Sequence, residues 1–374
     1  MKKLSDKLAQ RRAEGSLRRL TLQPNLVDFF SNDYLGLARS REIYDLAEKE
    51  LKKQSGNING ATGSRLLSGN SAYVEELEHF FSRLFNSPAA LLLNSGYNAN
   101  LSLLSAIPQK EDTIIYDELI HASLKDGARL SFAQRFSFKH NDLQDLEAKL
   151  QRARGEVYVV VESVYSMDGD FAPLKELLEL TIKYRAHLIV DEAHSTGVWG
   201  AAGSGLCCQL GIEDQLFARV YTFGKGMGAH GACIAGSELL IEYLINFARP
   251  FIYTTSLPLH SLVTLKVAFE YLAKEIEVQS TIRSKIDLFR ALIKENDQLS
   301  GLVQESSSPI QVLRLSGNET VKAAAAAVQN EGFDVRAILS PTVKEGEERL
   351  RICLHVFNSD DEIERLVKTL AQQL

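Results

Sequence analysis

From residue 89 onward, short apolar runs alternate with longer stretches of helical period. The runs are AALLL (89–93), TIIY (113–116), RFSF (135–138), VYVVVE (157–162), HLIVD (187–191), RVYTF (219–223) and GACIAG (231–236). They are too short for free-standing helices. Most are continuously apolar rather than alternating, which predicts strands covered on both faces. Strand and helix in repeated succession predict an α/β fold: a mostly parallel central sheet flanked by helices.

The flanks read differently. The N-terminus predicts an amphipathic surface helix, a turn at Pro24-Asn25 and a short extended piece, LVDFFS. A charged helix follows over 41–54. Residues 55–70, SGNINGATGSRLLSGN, form a Gly/Ser/Asn loop of a length that usually serves function. A helix is predicted at about 71–86. After FIYTTSLP (251–258) come a helical region over 259–296, a strand at 310–315 and a helix at 319–331. Strands near 333–338 and 349–356 and a last helix at 360–373 complete a smaller α+β domain. The expected division is an N-terminal helix and extended segment (1–38), a large domain (39–268) and a C-terminal α+β domain (269–374).

Composition narrows the class. The chain has 374 residues, 45% hydrophobic and 24% charged, enough to bury a core without disulfide or metal staples. Its 42 basic residues against 48 acidic ones leave a net charge of −6, which argues against a nucleic-acid surface. No run approaches the length of a membrane span, and MKKLSDKLAQRRAEG has no apolar core, so neither membrane insertion nor a signal peptide is expected. Cys207, Cys208, Cys233 and Cys353 form no C-x-x-C pair, which fits a reducing compartment; the cytoplasm is expected.

In open α/β sheets, ligands bind beyond the carboxyl ends of the strands. The residues there are NSGYN after AALLL, DELIHAS with His121 after TIIY, SVYSMDGD with Ser166 after VYVVVE, and Asp191-Glu192-Ala193-His194 at the end of HLIVD. Gly224-Lys225-Gly226 follows RVYTF. Four chemistries compete for this set. Gly226-Met227-Gly228-Ala229-His230-Gly231 matches a dinucleotide fingerprint, but no helix is predicted to open there and no strand-end acid follows at the required distance. No Ser lies in a G-x-S-x-G elbow. Asp191 and His194 lack a third metal ligand at a suitable spacing, so no metal is expected. The fourth is a Schiff-base lysine with an acidic partner, the pattern of pyridoxal phosphate. Asp191 suits the acid at the ring nitrogen, Lys225 the aldehyde-binding amine, and Gly96-Tyr97-Asn98 a helix start that receives phosphate.

Together, SNDYLGLA (31–38), GSRLLSGN (63–70), SGYNAN (95–100), HASL (121–124), VYSMDGD (164–170), DEAHSTGVWG (191–200), TFGKGMGAHGA (222–232), IYTTSLP (252–258) and PTVKEGEERLRI (341–352) resemble, in order, the α-oxoamine synthase family of fold-type I pyridoxal-phosphate enzymes. The resemblance implies an aspartate-aminotransferase-like transferase. It implies Lys225 as the Schiff-base lysine, Asp191 at the pyridine nitrogen, His194 on the phenolic oxygen and His121 stacked on the ring. It further implies cofactor contacts from Gly96, Tyr97, Ser166 and Thr222. Thr254 and Thr255 resemble residues given to the phosphate by the other subunit, which implies a homodimer with shared active sites. Arg18 and Thr342 match substrate contacts, and Arg351 the grip on an amino-acid carboxylate. The implied reaction is decarboxylative condensation of an amino acid with an acyl thioester, carried on coenzyme A or an acyl-carrier protein. TFGKGMGAHGA resembles the members that use alanine and a pimeloyl thioester; members using glycine with acetyl-CoA, or serine with a long acyl-CoA, are the alternative. Arg11, Arg12, Arg18 and Arg19 are candidates for a basic patch toward an acidic carrier. Thr62, Ser195 and Trp199 depart from the family pattern.

Overall fold

The computed structural model describes residues 1–18, 20, 25–56 and 59–373; Arg19 and Pro24 lie outside them. In chain order the strands are β1 (Val27–Asp28), β2 (Ala89–Leu93), β3 (Thr113–Asp117), β4 (Gln134–Phe138), β5 (Val157–Glu162), β6 (His187–Asp191) and β7 (Ala218–Thr222). They continue with β8 (Ala232–Gly236), β9 (Val303–Gln304), β10 (Ile310–Arg314), β11 (Phe333–Asp334), β12 (Arg336–Ile338) and β13 (Arg349–Cys353). The chain divides into two compact units. The larger comprises Leu35–Tyr165 and Phe171–Gln279; the smaller comprises Met1–Tyr34, Ser166–Asp170 and Ser280–Leu374.

The larger unit holds a seven-stranded sheet in the order β2-β8-β7-β6-β5-β3-β4. Every apolar run singled out in the sequence is a strand of it. Strands β4, β3, β5, β6 and β7 run parallel. All six residues of β5 are buried, as an uninterrupted apolar run requires of a strand covered on both faces. Helices supply the cover. In the helix Ala72–Leu84, Val74, Leu77 and Phe81 are buried at helical spacing and Ser71 caps the first turn. Strand β8 departs from the parallel expectation and pairs antiparallel with both β2 and β7. The reason is length: residues 223–231 form a compact connection, whereas a parallel return needs a crossover of about a dozen residues or more.

In the smaller unit, β12-β13-β10-β9 form an antiparallel sheet, and β1 pairs in parallel with β11. The extended piece LVDFFS is stitched to the C-terminal segment: the Val27 amide donates to Gly332 O at 2.9 Å and the Cys353 amide to Phe29 O at 2.7 Å. Residues 1–34 therefore share a unit with 280–374, a grouping that hydropathy along the chain does not show. The helix Lys2–Ala13 buries none of its residues; Leu4 and Leu8 are exposed.

His355 is fully buried in this unit. Its Nδ1 lies 2.9 Å from Asn358 Oδ1 and its Nε2 2.9 Å from Ser31 O. Burial holds its pKa below the ordinary 6.5, against the opposing pull of Ser31 and Asp28. The unfolded chain therefore takes up the proton first. Stability is complete above the ordinary histidine value and falls as the pH drops below it, by about 1.4 kcal/mol for each unit by which the folded value is lower. Urea midpoints measured at pH 7.5 and 5.5 should show this loss in the native chain and a smaller one in His355→Gln.

Candidate active site

Lys225 sits in the bend between β7 and β8. The Ala229 amide donates to Phe223 O at 2.9 Å and the Phe223 amide to Gly231 O at 3.0 Å, which folds the bend back on itself. This is why the glycine-rich 226–231 segment opens no helix. Gly228 has φ +60°, and a Cβ there would come within 2.1 Å of the Ala38 amide nitrogen. That bend is thus pressed against backbone, and only glycine fits. Lys225 Nζ lies 2.8 Å from His194 Nε2. An ammonium has no acceptor, so the protonated lysine donates and the imidazole nitrogen accepts.

Asp191 ends β6 and is 3% exposed. Its Oδ1 accepts from the Ala193 amide at 2.9 Å and its Oδ2 from Asn100 Nδ2 at 2.7 Å. Both donors are neutral. Asn100 Nδ2 also donates to Ser123 Oγ at 2.9 Å, and Ser123 Oγ lies 2.7 Å from His121 Nδ1. His121 caps the helix Ala122–Leu130, its Nδ1 accepting from the Ser123 amide at 3.2 Å. The residue as a whole is exposed. Protein around its nitrogens still desolvates it, and that burial, followed by the Lys225 charge, holds its pKa below the ordinary value.

Gly96 and Tyr97 open the helix Gly96–Ala106, capped by Ser95 Oγ accepting from the Asn98 amide. A Cβ on Gly96 would meet Thr222 Oγ1 at 2.3 Å, so the glycine lets the helix start lie against the end of β7. The Tyr97 hydroxyl donates to Asp126 Oδ2 at 2.6 Å. Thr254 Oγ1 accepts from Asn94 Nδ2 at 3.4 Å, and Thr254 and Thr255 line a small cavity with Arg65, Asn94 and Phe251.

The remaining expected residues belong to the smaller unit. Arg351, buried, donates from Nε to Ser166 O at 2.8 Å, from Nη2 to Asn32 Oδ1 at 3.0 Å and from Nη1 toward Cys353 Sγ at 2.9 Å. At least three of its five donors are therefore committed to fixing the fork. Ser166 meets it through its backbone carbonyl. Arg18 Nη2 donates to Thr342 Oγ1 at 3.4 Å, which brings those two expected residues together across the length of the chain.

The departures have structural accounts. Thr62 has φ +58°, the left-handed region that favours glycine; holding a β-branched residue there costs about 1–2 kcal/mol. Ser195 is buried and its Oγ donates to the Glu192 carboxylate. Trp199 packs edge-on against Phe171 with ring centroids 5.4 Å apart. Asn100 and Ser123 stand inside the SGYNAN and HASL motifs, where nothing in the sequence assigns them a role. The available signal was polar residues beside Ala99, Leu103 and Leu124 on buried helix faces.

A family model described as aminotransferase class I and II matches residues 24–370. An 8-amino-7-oxononanoate synthase of Emericella nidulans is 42% identical over 392 aligned positions, covering 98% of this chain and 94% of its own. A solved serine palmitoyltransferase from S. paucimobilis, with a bound PLP–myriocin aldimine, superposes with a TM-score of 0.88 at 26% identity, covering 99% of this chain and 96% of the other. An 8-amino-7-oxononanoate synthase from Francisella tularensis superposes at 0.80 with 29% identity, covering 93% and 97%. Matched from end to end in sequence and in fold, the chain belongs to the class I and II aminotransferase family, in the branch that holds the 8-amino-7-oxononanoate synthases.

Proposed function

We propose that this chain binds pyridoxal 5′-phosphate and condenses L-alanine with a pimeloyl thioester, with loss of carbon dioxide, to give 8-amino-7-oxononanoate for biotin synthesis. The observation that carries the cofactor reading is the state of Asp191. It is a buried carboxylate with two neutral donors, and no ion pair among the described residues takes it. A buried charge is normally paired, so a cationic ring nitrogen suits it. The Gly96 helix start, where any side chain would collide with Thr222, is the kind of close-packed helix N-terminus that receives a phosphate.

When bound, the cofactor supplies an electron sink for the amino acid's α-carbon. The chain does the rest. Lys225 would hold the aldehyde and, once displaced by the amino acid, move a proton at Nζ. His194, 2.8 Å away, orients that nitrogen. Asp191 keeps a fixed negative charge at the site, preorganised by Asn100 and Ala193. His121 would cover the ring, and Ser166 and Thr222 would contact the cofactor. Arg351 is assigned the amino-acid carboxylate, for which a fork held rigid by protein acceptors is suited; Arg18 and Thr342 are assigned to substrate. The reading includes a homodimer in which Thr254 and Thr255 serve the partner's phosphate, and a cytoplasmic site of action. No helix among the described residues is long and apolar enough to cross a membrane.

The test is thiol release with alanine, glycine and serine, each against short, medium and long acyl thioesters on coenzyme A and on acyl-carrier protein. The expected result is a yellow protein, trapped by borohydride, that turns over alanine with the pimeloyl donor. Absence of turnover with alanine would reject the substrate assignment. Turnover of glycine with acetyl-CoA, or of serine with a long acyl-CoA, would replace it.

A further inference from the structure

Asn100 is 2% exposed, and its amide reaches one of the proposed catalytic groups, Asp191, directly and another, His121, through Ser123. We propose that Asn100 is a positioning residue: it holds the Asp191 carboxylate and, through Ser123, locks His121 as the neutral tautomer with its proton on Nε2.

The amide nitrogen of Asn100 has two hydrogens and here has two acceptors, Asp191 Oδ2 at 2.7 Å and Ser123 Oγ at 2.9 Å. The reversed amide would set its carbonyl oxygen against a carboxylate, so the orientation is chemically determined. Ser123 Oγ accepts from Asn100 and must therefore send its own hydrogen elsewhere. The neighbour is His121 Nδ1 at 2.7 Å. The Ser123 amide points at the same nitrogen from 3.2 Å. With two donors aimed at it, Nδ1 carries no proton, and the ring proton is on Nε2. Thus the direction of each hydrogen bond from Asp191 to His121 follows from the amide in the middle.

The charged groups facing His121 are Lys225 and Asp191 from the strand ends and Lys125 and Asp126 from its own helix. Lys225 and Lys125 oppose a charged imidazole; Asp191 and Asp126 favour one. If Asn100 is removed, Ser123 Oγ becomes free to accept from a protonated Nδ1, and the pull of Asp191 and Asp126 is no longer blocked. His121 should then titrate higher.

The experiment is nitrogen-15 NMR of histidine-labelled, cofactor-loaded full-length protein between pH 5.5 and 9, for the native chain, Asn100→Ala and Ser123→Ala. In the native chain His121 should show an unprotonated Nδ1 and a protonated Nε2 at neutral pH. In Asn100→Ala the tautomer signature should be lost and the titration midpoint should rise by about one pH unit. In Ser123→Ala the Asp191 contact survives while the hydroxyl that donates to Nδ1 is lost, so the midpoint should rise there too. A His121 signature in folded Asn100→Ala identical to the native one overturns the proposal. Should Asn100→Ala not fold, Ser123→Ala decides by the same criterion: a moved midpoint supports the lock, an unmoved one overturns it. The catalytic meaning of the lock rests on the pyridoxal-phosphate reading, but the lock itself does not. A colourless protein with a locked His121 would sink that reading alone, and a yellow protein with an unlocked His121 would sink this one alone.

Discussion

Lys225→Ala is expected to yield a protein that cannot be fixed to its cofactor by borohydride and that turns over at least about 100-fold and up to about 10,000-fold more slowly. Two functions go at once. The amine that would hold the aldehyde is removed, and so is the base positioned 2.8 Å from His194 Nε2. The side chain is half-buried at a bend otherwise secured by backbone bonds, so the fold should survive its truncation. The checks are visible absorbance, peptide mass mapping after borohydride, and single-turnover thiol release. A borohydride-stable adduct in the variant would move the Schiff base to another lysine.

Asp191→Asn should lower kcat by about 100- to 1,000-fold with little change in the apparent affinity for the amino acid. The substitution keeps shape and removes charge. The Ala193 amide can still donate to the retained oxygen. Asn100 can turn its amide, since its Oδ1 finds no hydrogen-bond partner among the described residues, and accept from the new amide nitrogen. Melting temperature should therefore stay close to that of the native chain while turnover falls. Native kcat in this variant would remove Asp191 from the ring-nitrogen role, and a collapse in melting temperature would show that the charge supports the fold.

The sheet was legible because both of its faces are covered: a run such as VYVVVE has no solvent side, and its hydropathy says so without context. The proposed catalytic lysine and acid were legible for a related reason. They follow such runs, where a polar residue stands out. Strand β8 was legible as a strand but not in its direction, because direction depends on whether residues 223–231 cross over the sheet or turn back. Strand β9, at Val303–Gln304, is too short for a periodic signal, and the pairing of β1 with β11 joins residues about 300 positions apart. Asn100 shows the limit most clearly. Its letter in SGYNAN is that of an ordinary helix residue, and only the fold sets its amide between Asp191 and Ser123.

Glu192 follows Asp191 directly, one residue past the end of β6, and has a different set of partners. It is fully buried, and its carboxylate accepts from Ser195 Oγ, from the Leu206 amide at 3.0 Å and from the Cys207 amide at 2.7 Å. On the proposed reading one position serves the site, while the next ties down the start of the short helix Leu206–Leu210. In a saturation library scored separately for cellular abundance and for growth without biotin, these neighbours should fall in different quadrants. Variants at 191 would be plentiful but unable to support growth; variants at 192 would be scarce, and those that accumulate would still support it.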